Sequence, residues 1–295
     1  MVRPNIYDVS ATELRNVLQG WGEPAYRARQ LWNHLYQRNA GSLDEMTDLS
    51  KVLRQRLTET YSFGALEPVA DLISTDGGTR KFLFRLADGR QIEAVLMIYR
   101  RRRTACISTQ AGCAMGCVFC ATGQMGFDRN LTAGEILEQV LWCARRLRER
   151  DDRLTNVVVM GMGEPFHNYD ATMAAIDRLN DASGFNFGAR RFTVSTVGLI
   201  PAIERFAAEK RQVNLAVSLH AATEDLRSAL LPVNKRYPLR NLIPACRAYT
   251  ETTGRRITFE WALIHDTNDS VTQARALAAL VGGMPCHVNV IPLNP

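Results

Sequence analysis

Three cysteines within eight residues constrain this chain more than any other feature of its sequence. Cys113, Cys117 and Cys120 follow the spacing C-x3-C-x2-C in a glycine-rich stretch. Thiolates are the ligands of soft metals, and short cysteine loops of this kind hold iron–sulfur clusters. A four-iron cluster normally takes four cysteines, so a loop with three leaves one iron open to bind a small molecule. The alternatives are three unrelated buried cysteines or a zinc site, and zinc needs a second Cys or His pair that the five histidines do not provide.

The bulk composition sets broad limits on the class of protein. The 295 residues, 46% of them hydrophobic and 22% charged, are typical of a globular protein with a sizeable core. No apolar run approaches the roughly 20 residues of a membrane span, and the N-terminal residues lack the apolar core of a signal peptide. Seven cysteines, an odd number, do not indicate a disulfide framework. We therefore expect a cytoplasmic protein with no membrane partner, and its net charge of +6 permits a polyanionic one.

Residues 1–65 are predicted to form a small helical domain. The clearest amphipathic helix covers residues 25–36. Basic residues lie in or beside these helices: Arg27, Arg29, Arg38, Lys51, Arg54 and Arg56. A helical module with basic faces suits nucleic-acid binding, and ordinary solvated helix faces are an equal alternative.

Residues 66–103 are predicted to form a β-hairpin region. Strands at 79–86 and 90–98 flank a turn at 87–89. Glu93 interrupts the second strand, which indicates either a buried carboxylate with a raised pKa or an exposed position on an edge strand. Four consecutive arginines, Arg100–Arg103, then form either a solvated turn or a phosphate contact.

Residues 104–295 follow a regular α/β pattern. Strands are predicted at 104–109, 156–162, 190–196, 213–219, 256–264 and 286–293, and helices at 132–150, 168–181, 199–210, 239–252 and 270–282. Thr132 and Glu135 form the capping box of the first of these helices. Six parallel βα units favour a partial (β/α)6 barrel, with a doubly wound open sheet as the alternative. The last strand lacks the helix that follows each of the others, so we expect a chain that is cut short at its C-terminal end.

Small polar residues and glycines gather where these strands end. In βα barrels the reactive groups collect at the carboxyl ends of the strands. The second strand stops in glycines followed by Glu164, the third ends at Val194–Gly198, the fourth at Val217–His220 and the sixth at Ile291–Pro295. Taken singly, each is more often a strand-end residue with only local contacts. Together with a loop that leaves one iron open, they favour a bound cofactor with a ribose and an amino-acid end, whose ammonium group Glu164 could receive.

The three-cysteine loop, with Phe119 directly before its last cysteine, resembles the radical S-adenosylmethionine (SAM) superfamily. The segment that carries this resemblance runs from Cys106 to Phe127. Within it, the chain resembles the RNA adenine methyltransferases of the RlmN type, with Cfr as the near relative. Further matching motifs follow in the same order: Gly161–Pro165, Val194–Gly198, Val217–His220 and Val290–Asn294, together with N-terminal motifs at 22–30 and 45–49. The resemblance covers nearly the whole chain.

The resemblance implies a methyl transfer in two stages. One SAM methylates a cysteine near the family's C-terminus, and a second SAM, bound to the open iron of a 4Fe-4S cluster, is cleaved to a 5′-deoxyadenosyl radical. That radical takes a hydrogen from the cysteine-bound methyl group, whose carbon then adds to C2 of an adenine in RNA. A second cysteine forms a disulfide and releases the product after the C2 proton is lost. The resemblance also implies 23S rRNA and tRNA as substrates, an electron donor such as flavodoxin or ferredoxin, and a monomeric enzyme.

Individual residues take roles from this resemblance. Cys113, Cys117 and Cys120 match the cluster ligands. Cys106 matches the cysteine that resolves the intermediate, and Glu93 matches the proton acceptor. The residues that match the family's SAM contacts are Gly163, Glu164, Ser195, Ser218, Leu219, His220 and Asn294.

The family's methyl-carrying cysteine has no match in this sequence. It should lie beyond Asn294, and Pro295 is the last residue. We therefore predict a truncated chain that binds cluster and SAM without completing the methyl transfer; a genuine stop codon after Pro295 would contradict this. Two alternatives stay open: another radical SAM enzyme, including the Cfr type that methylates C8, and a non-catalytic RNA-binding protein in which the cluster is structural.

Overall fold

The computed structural model describes residues 3–293, and the predicted site residue Asn294 lies outside them. The helices are α1 (Ala11–Gly20), α2 (Ala25–Trp32), α3 (Lys51–Thr60), α4 (Ala121–Gln124), α5 (Ala133–Arg148), α6 (Tyr169–Asn180), α7 (Ile200–Ala208), α8 (Glu224–Leu230), α9 (Leu239–Thr253) and α10 (Val271–Val281). The strands are β1 (Glu67–Ile73), β2 (Thr79–Arg85), β3 (Gln91–Ile98), β4 (Arg103–Cys106), β5 (Gln110–Gly112), β6 (Phe127–Asn130), β7 (Asn156–Val159), β8 (Phe192–Thr196), β9 (Asn214–Ser218), β10 (Ile257–Leu263) and β11 (Cys286–Pro292). Within residues 3–293, no helix combines the length and apolar character that a membrane span requires.

The chain folds into two compact units. The first contains the residues up to Ser108 together with Asn130–Val157 and Asp170–Ala189. The second contains Thr109–Arg129, Val158–Tyr169 and the residues from Arg190 onward. The division into segments 1–65, 66–103 and 104–295 stays a prediction.

The first unit begins with the predicted helices. Helix α1 starts at a capping box, in which the side chain of Ser10 accepts from the amide of Glu13 and the carboxylate of Glu13 accepts from the amide of Ser10. The helices bury one leucine stripe each, including Leu14 in α1, Leu31 in α2 and Leu53 in α3. The predicted helix at 25–36 is therefore confirmed as α2, which a π-helical turn at Asn33–Gln37 extends.

An antiparallel sheet with the order β1-β2-β3-β4 continues the first unit, and β7 follows β4 in that order. The predicted hairpin is confirmed as β2 and β3, which pair from Thr79 with Met97 to Arg85 with Gln91. Apolar residues alternate along β3, so one face of the sheet is buried. On that face, the rings of Phe82 and Phe84 lie 6.3 and 5.3 Å from the ring of Trp142 in α5.

The second unit carries a parallel sheet with the order β8-β9-β10-β11. Residue pairs such as Val194 with Leu215, and Phe259 with Val288, align the neighbouring strands in parallel. Helices α7, α9 and α10 connect successive strands, as the alternation of elements predicts. The predicted α/β fold with a parallel sheet is confirmed, and its strands carry the site residues at their carboxyl ends.

Candidate functional site

The cysteine loop of the second unit is closed by a short two-stranded sheet of β5 and β6, which the sequence did not predict. The amide of Cys113 donates to the carbonyl of Gly126 over 2.7 Å. Gly112 has a φ of +74°, and a Cβ at this position would lie 2.1 Å from the same carbonyl oxygen. Only glycine fits there, so the backbone conformation that leads into Cys113 is fixed.

The three thiols of this loop are close enough to interact electrostatically. Cys113 and Cys117 are buried, and Cys120 is half-buried. Burial raises the pKa of Cys113, and it raises the pKa of Cys117 to about 12. Three grouped thiols with little access to water suit a bound cluster whose iron ions would neutralise the thiolates, so the residues present fit a 4Fe-4S cluster. Within residues 3–293, no group of three His, Cys, Asp or Glu side chains surrounds a position for a single metal ion.

Residues at the ends of β9 and α8 support the cysteine loop. Cys117 packs in an apolar cluster with Ala221, Leu230 and Leu231. The ring of Phe119 meets the ring of His220 edge-on, with 4.8 Å between the ring centroids. The loop therefore lies directly against the strand ends from which the predicted SAM contacts come.

His220 is held in an unusual conformation at the end of β9. Its φ is +56°, in the left-handed region that non-glycine residues rarely adopt. Its Nδ1 accepts a hydrogen bond of 2.9 Å from the amide of Ala262, so the proton of the neutral ring sits on Nε2. Burial lowers the pKa of His220 to about 4, which keeps the ring neutral at physiological pH. The neutral Nε2–H group is a donor for a ligand.

Two serines at neighbouring strand ends lie together, as predicted. The hydroxyl groups of Ser195 on β8 and Ser218 on β9 are 3.4 Å apart. Leu219 is buried, and its amide donates to the carbonyl of Glu260 over 3.0 Å. The structure thus gathers Ser195, Ser218, Leu219 and His220 at one edge of the parallel sheet.

The turn after β7 is fixed by Gly163 and Glu164. Glu164 is buried, and its two carboxylate oxygens accept from the amides of Phe166 (2.9 Å) and Val197 (2.8 Å). Burial raises the pKa of this carboxyl to about 7 in spite of these bonds, which favour the charged form. The Glu164 side chain therefore ties the end of β7 to the end of β8, a role that the sequence did not indicate.

Glu93 and Cys106 belong to the first unit and lie on the open face of its sheet. Val95 is the direct partner of Cys106 between β3 and β4, and Glu93 lies two residues before Val95. Opposite residues and alternate residues of a strand share a face, so Glu93 and Cys106 are diagonal neighbours. Lys81 pairs with Glu93 across a distance of 3.0 Å on this same face.

The structure contradicts the buried carboxylate predicted at Glu93 and bears out the exposed position of the alternative, but not its edge strand. The side chain of Glu93 is 41% exposed, so it is not a buried carboxylate. Its strand β3 lies between β2 and β4, so it is not on an edge strand either. Arg103, at the end of the arginine run, bonds Asp152 over 2.5 Å at the amino end of β4, away from Cys106.

Sequence reasoning missed several residues that position this site. The side chain of Gln110 accepts from the amide of Glu164 over 2.8 Å and contacts Nδ1 of His167 over 3.0 Å. In the first unit, the Gln139 amide group bonds both the amide and the carbonyl of Ser108, over 2.8 and 2.9 Å. Gln110 stands in the string that carries the family resemblance, whereas no sequence signal marks Gln139.

Comparison with known proteins decides the family. The model of the radical SAM superfamily matches residues 107–277, and the model of the ribosomal RNA large subunit methyltransferase N-terminal domain matches residues 4–62. A probable dual-specificity RNA methyltransferase RlmN of Chloroflexus aurantiacus is 52% identical, across 98% of this chain and 80% of the relative. The dual-specificity RNA methyltransferase RlmN 1 of Myxococcus xanthus is also 52% identical, across 99% of this chain and 81% of its own. The chain belongs to the RlmN-type radical SAM methyltransferases.

A solved structure agrees with this family. The radical SAM methyltransferase from Sphaerobacter thermophilus superposes with a TM-score of 0.97 and 54% identity, across 99% of this chain and 86% of that one. The resemblance drawn from the motifs is thus confirmed. As an RlmN-type radical SAM protein the chain is a methyltransferase, and the family implies a 4Fe-4S cluster and SAM.

Proposed function

We propose that this enzyme methylates C2 of adenine in 23S rRNA and in tRNA. The observation that carries the proposal is the packing of the Cys113–Cys120 loop against the strand-end residues Ser218–His220 in the second unit. The match to the RlmN N-terminal domain, and the relatives' names as dual-specificity RNA methyltransferases, support an RNA substrate of two kinds.

Cys113, Cys117 and Cys120 would hold the cluster, which supplies one electron for the reductive cleavage of SAM. Ser195 and Ser218 offer paired hydroxyls, and His220 offers its Nε2–H group, for the polar parts of SAM. Gly163 and Glu164 would contact SAM through the main chain, since the Glu164 carboxylate already bonds two amides. Leu219 and Asn294 complete the proposed contacts.

Glu93 is the proposed acceptor of the C2 proton, and Cys106 the proposed resolving thiol. Their diagonal arrangement on one face places a base beside a thiol. Lys81 orients the Glu93 carboxylate through the 3.0 Å ion pair, and the exposure of that pair leaves the carboxylate within reach of a substrate. In the resolution step, the Cys106 thiolate would attack the sulfur of the family's methyl-carrying cysteine, so that a disulfide forms as the bond from that sulfur to the transferred carbon breaks. The carbon would keep the electron pair of the broken bond and take up a proton.

SAM cleavage tests the catalytic part of the proposal. The full chain, reconstituted anaerobically with iron and sulfide and reduced by dithionite, should convert SAM to 5′-deoxyadenosine and methionine. Cys117→Ala should abolish this product, whereas Cys143→Ala, which removes a buried thiol of α5, should retain it. A protein that takes up the cluster but forms no 5′-deoxyadenosine would support a structural cluster instead.

The methylated position is a separate question for mass spectrometry. RNA modified by the enzyme should contain 2-methyladenosine in 23S rRNA and in tRNA. Finding 8-methyladenosine instead would overturn the assignment in favour of the Cfr type.

RNA contact by the N-terminal helices is part of the same proposal. A cavity of about 330 Å³ lies between α1 and α2, lined by Ala11, Arg15, Ala25, Tyr26, Ala28, Arg29, Trp32 and Ser183. Tyr26 is exposed, and the guanidinium of Arg27 lies 4.9 Å from its ring centre. An aromatic ring among arginines suits stacking on a base and binding of phosphate. By contrast, Arg38 and Arg54 pair with Asp48 and Asp44.

Charge reversal tests this RNA contact better than deletion of residues 1–65, because α5 packs on that segment through bonds such as Gly134 to Asp8. Arg15→Glu with Arg29→Glu should weaken RNA binding and lower its log–log salt slope by about 2. Arg275→Glu, on the exposed side of α10, is the matched control. Equal RNA affinity of the two variants would contradict the contact.

We further propose a cytoplasmic monomer that receives electrons from a carrier such as flavodoxin or ferredoxin.

A further inference from the structure

Arg227 is a fully buried arginine in α8, with 0% of its surface exposed. Within residues 3–293, its guanidinium donates to uncharged oxygens alone: the carbonyls of Val197 (2.6 Å), Leu219 (3.3 Å), Ser218 (3.3 Å) and Tyr237 (3.5 Å), and Oδ1 of Asn234 (2.7 Å). A buried charge without a directly bonded counter-charge is unfavourable for folding. Such a group calls for an explanation in terms of function.

The partners of Arg227 come from three segments around the proposed cofactor site. Val197 follows β8, Ser218 ends β9, and Asn234 belongs to the loop after α8. One planar guanidinium therefore fixes the carboxyl ends of two parallel strands relative to that loop. Because Ser218 and Leu219 are proposed SAM contacts, Arg227 holds their main chain in place.

The cysteine loop packs on the same helix. The amide of Val118 donates to the carbonyl of Leu230 over 3.1 Å, and Cys117 packs against Leu230 and Leu231. Val197, whose carbonyl accepts from Arg227, packs against the same apolar cluster as Cys117. Arg227 is connected to the Glu224 carboxylate through Asn234, whose Nδ2 donates to that carboxylate over 2.9 Å. The buried thiol of Cys246 in α9 also faces Arg227.

We propose that Arg227 is a positioning residue that serves as the buried counter-charge of the iron–sulfur cluster. The inference rests on the proposed cluster. A 4Fe-4S cluster with three thiolates is anionic, and its reduction adds one electron from a low-potential donor and hence one more negative charge. A fixed cation on the helix against which Cys117 packs would stabilise the reduced form more than the oxidised form, which moves the midpoint potential to less negative values.

Redox titration of the reconstituted full chain, followed by electron paramagnetic resonance, tests the proposal. Arg227→Met should shift the midpoint potential to more negative values, and Arg227→Lys, which keeps the charge, should stay close to wild type. Arg275→Met removes an exposed positive charge of α10 and should leave the midpoint unchanged. If Arg227→Met carries a full cluster at the wild-type midpoint, or if the Lys and Met variants shift equally, Arg227 is a structural residue only.

A second variant keeps the test decisive where Arg227→Met fails to fold. Glu224→Gln removes the neighbouring anion, leaves Arg227 in place, and retains one oxygen that can accept from the amide of Arg240. It should shift the midpoint to less negative values, and an unchanged or more negative midpoint would overturn the proposal. The iron and sulfide content of the wild-type protein distinguishes failure of the proposed function from failure of this inference. A wild-type protein that takes up no cluster would contradict the proposed function. A wild-type protein with a full cluster, together with variants whose midpoint potentials do not change, would contradict only the inference about Arg227.

Discussion

Gly163→Ala should destabilise the protein through a clash that the structure defines. Gly163 has a φ of +100°, a backbone conformation that residues other than glycine rarely adopt. An added Cβ would lie 2.5 Å from Cβ of Gln110 and 2.8 Å from its backbone nitrogen. Gln110 is fully buried, and its side chain is bonded to the amide of Glu164, so it cannot move away.

The magnitude follows from two contributions. Holding a non-glycine residue in such a backbone conformation costs about 1–3 kcal/mol. Overpacking of a filled interior adds about 1–3 kcal/mol. We therefore expect the free energy of unfolding to fall by about 4 kcal/mol. For a domain of this size class the corresponding fall in Tm is roughly 10 °C.

Urea unfolding and thermal scanning of the cluster-free protein measure this loss. Gly188→Ala is the matched control, since nothing lies within 4 Å of a Cβ at that position. The cost of Gly163→Ala should also be smaller in a Gln110→Gly background, because Gln110 supplies the clashing atoms. A Gly163→Ala protein with the Tm of the Gly188→Ala control would refute the steric reasoning.

Three further predictions follow from individual side chains. Burial raises the pKa of Glu138 from an ordinary 4.5 to about 7, so native stability should fall as the pH rises between these values. Relative to wild type, the free energy of unfolding of Glu138→Gln, measured in urea, should therefore rise by about 3 kcal/mol between pH 4.5 and pH 7. The same pH dependence of stability in the two proteins would contradict the burial effect. Lys81→Met breaks a solvent-exposed ion pair, so the free energy of unfolding should change by less than about 1 kcal/mol and 5′-deoxyadenosine formation should persist. A larger loss would mean that Lys81 supports the fold. For His220, whose pKa burial lowers to about 4, nitrogen NMR should show an Nε2–H ring that does not titrate between pH 5.5 and pH 8; a titration near pH 6.5 would disprove the buried neutral ring.

The parallel strands could be predicted because their chemistry is distinctive. Strands such as β9 contain runs of buried apolar residues. The short length of these runs and the lack of a helical period identify them as strands. Strand β1 escaped prediction because its residues, including Pro68 and Asp71, are mostly exposed and show no apolar alternation. Helix α8 escaped because it has seven residues and one of its buried side chains is Arg227, which an apolar pattern does not reveal.

The candidate site was predictable where a residue type has few other uses. Three closely spaced cysteines indicate a cluster, and a glycine after an apolar strand indicates a close approach, as at Gly163. The environment of Glu93 was not predictable, because alternation along a strand does not tell which face of a sheet a neighbouring helix will cover. The Glu164 carboxylate bonds to the amide of Val197, 33 residues further on, a contact that only the tertiary fold creates.

Mutations on the two faces of the β2–β3–β4 sheet are expected to have different consequences. Phe82, Phe84 and Ala94 point to the buried face under Trp142, while Glu93 and Cys106 stand on the open one. Substitutions on the open face remove few packing contacts, so they can alter chemistry while the fold persists. Alternate positions of the same strands should therefore separate, in a saturation mutagenesis screen, into those that abolish soluble expression and those, including the proposed catalytic residues Glu93 and Cys106, that leave expression intact. This separation gives an evolving enzyme of this kind freedom to change its reaction without first rebuilding its core.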